Sequence, residues 1–78
     1  MNNEKHIATI ELFGDRRLVV SRRVVNDQHG LTTIRVESKG RDGSWFVSVH
    51  PVGIPNSAIF LLEDAIGKAA KMAEGDRR

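Results

Sequence analysis

Hydrophobic and polar residues alternate through the first fifty positions and then change period. Ile10 and Leu12, Leu18 and Val20, Ile34 and Val36, and Val47 and Val49 each stand two residues apart. That spacing places side chains on one face of a strand. The stretches His6–Phe13, Arg17–Val25, Leu31–Lys39 and Ser44–His50 are rich in Val, Ile and Thr and read as strands. Their separators, Gly14-Asp15-Arg16, Asn26 to Gly30 and Gly40 to Gly43, are short and contain Gly and Asp, as hairpin loops do. Short loops imply antiparallel neighbours in chain order.

After Pro51–Pro55 the apolar residues recur at helical spacing: Ile59, Leu62, Ala65, Ile66, Ala69 and Ala73. The pattern predicts a helix over 57–74, capped by Asn56 or Ser57 and stopped at Gly75, with a short tail over 75–78. Such a helix is about 27 Å long, enough to cross a four-stranded sheet about 19 Å wide. The expected fold is α+β in one domain over 1–78: a four-stranded antiparallel meander with one C-terminal helix packed across one face.

Loops of three, five and four residues set Leu12 opposite Leu18, Val24 opposite Thr32, and Ser38 opposite Trp45. The helix-covered face then holds Ala8, Ile10, Leu12, Leu18, Val20, Val24, Ile34, Val36, Trp45, Val47 and Val49, with Arg22 as the only charge in the strand interiors. The open face holds Ile7, Phe13, Val19, Val25, Leu31 and Phe46 beside Arg17, Arg23 and Arg35. The run Val19 to Val25, with two consecutive arginines, thus sends Arg23 to the open face and Arg22 toward the helix.

Composition narrows the chemistry. The 78 residues contain no cysteine, which excludes disulfides and cysteine-ligated zinc. MNNEKH lacks the regions of a signal peptide, and no apolar run approaches the roughly 20 residues of a membrane span. A cytoplasmic chain with no membrane partner is expected. Twelve basic and ten acidic residues give a net charge of +2, which does not by itself point to nucleic acid. His6, His29 and His50 lack the spacing of metal ligands on one helix, and Gly40 to Gly43 suits a hairpin better than a phosphate loop. No enzyme activity, cofactor, metal or small-molecule substrate is expected.

Two binding functions follow from the open face. Six apolar residues there suit burial by a protein partner or a second copy, with Phe13, Val19 and Phe46 as contact residues. Phe60 lies outside the helix's apolar arc, beside Gly67, and is the fourth candidate. This predicts a non-catalytic protein-interaction module, most simply a homodimer; an inhibitor or accessory protein of a phage or mobile element is one form such a module takes. The alternative is single-stranded DNA or RNA binding, with Phe46 stacking bases and Arg17, Arg23 and Arg35 tracking phosphates. The order of four strands and then a helix is similar to that of Whirly and Pur-repeat modules, a similarity of inferred topology without a shared motif.

Overall fold

The computed structural model of the protein describes residues 4–26 and 29–76. Asp27 and Gln28, in the second expected loop, and Arg77 and Arg78, in the expected tail, lie outside the described residues. Four antiparallel strands form one open sheet in the order β1 (Glu4–Leu12), β2 (Arg16–Asn26), β3 (His29–Lys39) and β4 (Trp45–Pro55), followed by one helix, α1 (Asn56–Asp76). The α+β class and the meander follow the sequence pattern.

The first turn uses Phe13, Gly14 and Asp15, one residue earlier than expected. Gly14 and Asp15 both take positive φ, 77° and 56°, and the Asp15 carbonyl accepts a 2.9 Å bond from the Lys39 N–H. Both residue types tolerate that conformation. Leu12 therefore pairs with Arg16 and Ile10 with Leu18. Val24 pairs with Gly30 instead of Thr32. Each change is by two residues, so face assignments keep their parity along β2 and β3 from Arg16 to Val24 and from Gly30 to Ser38, and in β1 from Ala8 onward; the bulge between His6 and Ala8 reverses it for Lys5 and His6.

The third turn breaks parity. Gly43 at φ 86° and a Gly40 N–H to Ser44 carbonyl bond of 2.8 Å close a loop that includes Ser44. Asp42 Oδ1 holds it by accepting from the Ser44 N–H at 3.0 Å and the Ser44 hydroxyl at 2.7 Å. These bonds keep the Asp42 carboxyl below its ordinary range. The strand starts at Trp45, which pairs with Lys39, while Phe46 pairs with Ser38. Trp45 and Val47 thus lie on the opposite face from the one expected, and Phe46 lies with Ile34 and Val36. A bulge after Val47 restores Val49 to that same face, opposite Val36.

β4 also runs five residues beyond His50, through Pro51 to Pro55, where a connecting loop was expected. β4 is an edge strand, so the missing proline N–H groups cost no ladder bond.

The helix does not lie across the sheet. It touches only β3 and β4, none of its residues is buried, and only Ala58, Ile59 and Leu62 are half-covered. Leu61 and Ile66 are 73% and 57% exposed. The last residue of β4 is Pro55 and the first of α1 is Asn56, so no connecting residue exists to fold the helix back.

Candidate functional site

The two faces of the sheet differ sharply in how they meet solvent. On the first, Glu37 lies at the centre of a charge ladder. Its Oε1 accepts from Arg17 Nε at 2.6 Å and its Oε2 from Arg35 Nε at 2.9 Å. Arg35 Nη1 also donates to Glu4 Oε1 at 3.3 Å. The Arg17 guanidinium stacks 4.1 Å from the centre of the Trp45 ring, a favourable cation–π arrangement. The ladder joins all four strands. The hydrogen bonds from Arg35 and then Arg17 hold the Glu37 carboxyl below its ordinary 4.5, and Glu37 in turn raises Arg35. In this face sit Val19, 3% exposed and paired with Arg35 and Thr9, and Ser21, 2% exposed. Long arginine stems cover apolar surface in this manner.

The second face is aliphatic and bare. Side chains of Ile10, Leu18, Val20, Ile34, Val36, Phe46, Val49 and Val52 share it by register. Ile10, Phe46, Val49 and Val52 are each at least half exposed. The others are half-covered. Val19 is the sole buried hydrophobic residue among the described residues.

Arg22 lies on this apolar face, as its parity requires. It pairs with Lys5 and Thr32, not with Ala8 and Ile34. Its Nη1 donates to Thr32 Oγ1 at 3.1 Å, and its guanidinium lies over Gly30, where a Cβ would come within 2.6 Å of Nη2. It reaches neither Glu63, Asp64 nor the helix C-terminus, because the helix is not above it.

The candidate residues separate accordingly. Phe46 is on the bare face and available to a partner, and it is not beside the three arginines. Val19 is buried and cannot contact a partner directly. Phe13 is 99% exposed in the first turn, away from both faces. Phe60 is 73% exposed and does not fold onto the Pro51–Pro55 segment; a Cβ at Gly67 would meet nothing within 4 Å. Arg17, Arg23 and Arg35 share the polar face, with Arg17 and Arg35 held by acids and Arg23 exposed. Trp45, which the sequence assigned to the covered face, is the aromatic residue beside Arg17.

Among the described residues no cluster of histidines and acids could hold a metal ion, and no helix is long and apolar enough to cross a membrane. A shallow pocket at one sheet corner is lined by Glu11, Leu12, Asp15, Arg16, Lys39 and Trp45. Its charges are of both signs. No family model, curated protein or solved structure matches the chain.

Proposed function

We propose that the chain is a non-catalytic protein-interaction module that binds through the aliphatic face of its sheet. One observation carries this: Ile10, Phe46, Val49 and Val52, each at least half exposed, and the half-covered Val20, Ile34 and Val36 form a continuous apolar surface over which the described residues place no second layer. Contiguous exposed apolar surface of this extent marks an interaction site in a folded protein. The cysteine-free composition suits a reducing compartment, and a cytoplasmic location belongs to the same proposal.

Single-strand binding is the competing function, and it has less support. Its arginines are on the opposite face from Phe46, and two of them are engaged by Glu37 and Glu4. Titrating labelled single-stranded DNA at about 50 and about 200 mM salt distinguishes the two. The proposed function expects no saturable binding at either. A salt-sensitive complex that weakens in Arg17→Ala and Arg23→Ala would overturn it.

A further inference from the structure

Among the described residues two apolar surfaces are left largely uncovered. One is the sheet face around Val20, Ile34 and Phe46. The other is the helix arc that carries Leu61, Ile66 and Met72, all more than half exposed. We propose that each covers the other between two copies: the chain forms a two-fold dimer in which the helix of one protomer lies on the aliphatic sheet face of its partner. This rests on the protein-interaction function above and names the partner.

The area argues for a second copy of comparable size. A compact protein of 8.7 kDa exposes roughly 4,700 Å², whereas this chain exposes 6664 Å². The excess, roughly 1,900 Å² per chain and about 3,800 Å² across a pair, falls in the range of obligate homodimers. The radius of gyration agrees: it is 14.8 Å, against about 11.5 Å for a compact chain of this length.

The connection explains why one chain cannot bury these surfaces alone. Pro55 passes directly into Asn56, so the helix has no turn that would return it to its own sheet. A partner's helix has no such tether, and exchanging an element between identical chains is a low-cost route to a dimer. A helix of 21 residues is about 31 Å long and spans a sheet about 19 Å wide.

Charge selects helix on sheet over the other pairings. The charges that register places on the aliphatic face are Lys5, Arg16 and Arg22, all positive. The helix carries Glu63, Asp64, Glu74 and Asp76 against Lys68 and Lys71. Sheet against sheet sets positive on positive, and helix against helix sets negative on negative; helix against sheet sets opposite signs together. The sheet edges are guarded. β1 has a bulge after His6 and carries Glu4, Lys5 and Glu11, and β4 carries two prolines.

Sedimentation equilibrium of the purified full chain, followed by disulfide trapping, tests the proposal. The natural sequence has no cysteine, so every disulfide reports an introduced pair. A tagged Ile66→Cys chain is mixed with an untagged Val20→Cys chain and oxidised. The expected mass is twice 8.7 kDa, with the mixed Ile66→Cys/Val20→Cys disulfide in several-fold excess over either same-site disulfide. A mass of 8.7 kDa for the unaltered chain overturns the dimer and leaves the wider interaction function standing, since that function fails instead on the DNA titration. A dimer trapped mainly through Val20→Cys to Val20→Cys, or Ile66→Cys to Ile66→Cys, overturns the helix-on-sheet arrangement. The unaltered chain's mass decides even where a cysteine variant fails to fold.

Discussion

Phe46 stands directly opposite Ser38 across β4 and β3, which puts its ring on the same face as Ile34 and Val36 and on the other side of the sheet from Arg17. An aromatic residue in that position extends an aliphatic surface; it does not complete a stacking platform with cations. Phe46→Glu therefore places a charge in the proposed interface. It is expected to weaken self-association by at least tenfold, since one desolvated charge costs more than about 1.4 kcal/mol. Dimer dissociation measured by sedimentation checks this, with Phe13→Ser as the control. Phe13 is almost wholly exposed in the first turn, and its loss should change neither association nor melting.

Glu37 ties the polar face together, so its removal should be felt as stability. Glu37→Ala removes the acid that holds Arg17 and leaves Arg35 with Glu4 alone; a loss of about 1–3 kcal/mol is expected. The acid dependence has a fixed sign. Because the folded-state pKa of Glu37 is lowered, its contribution is fully present above the ordinary value of 4.5 and is lost as pH falls through the folded value. Thermal melts from pH 6 downward should show this loss below about pH 4.5 in the natural chain. In Glu37→Gln the slope should be flatter. Equal slopes in the two would show that the ladder contributes nothing to stability.

Arg22 and Arg23 are neighbours with different roles. Arg22→Ala loses the bond to Thr32 and the cover over Gly30, and a destabilisation of about 0.5–1.5 kcal/mol is expected. Arg23 is exposed, and Arg23→Ala should stay within about 0.5 kcal/mol of the natural chain. Chemical denaturation of both variants decides. A larger effect for Arg23→Ala would mean that β2 pairs in a different register.

The single tryptophan reports on the polar face. Trp45 is half-covered and stacked on Arg17, on the side of the sheet that the proposed dimer leaves open. Its fluorescence should remain quenchable by acrylamide in the associated protein. Full protection on association would place the interface on the wrong face.

Much of this fold is legible in the sequence, and its departures have physical causes. The alternation of Ile10, Leu18, Val20, Ile34 and Val36 fixes which residues share a face in the first three strands, and pairings displaced by two residues at the first and second turns preserve that parity. At the third turn Asp42 draws Ser44 into the loop, and the single-residue difference moves Trp45 and Phe46 to opposite faces. Pro51 and Pro55 suggest a loop, yet an edge strand accepts them because one side of it donates to nothing. The alternation puts Arg17 and Arg35 on one face, but neither their pairing with Glu37 nor the burial of Val19 beneath them is visible in the pattern. The helix shows the general limit. Its periodicity reveals that one side must be buried, but carries no information about whether the covering sheet belongs to the same chain.

The central claim is that the aliphatic sheet face is buried against another copy of this chain and that this burial supplies the core that one chain lacks. The concentration dependence of thermal unfolding tests it most directly. Coupled unfolding and dissociation predict a midpoint that rises by about 4 °C for each tenfold increase in protein concentration. A cooperative transition whose midpoint is the same from micromolar to millimolar protein would contradict the account, because it would show that a single chain is stable with that face in water.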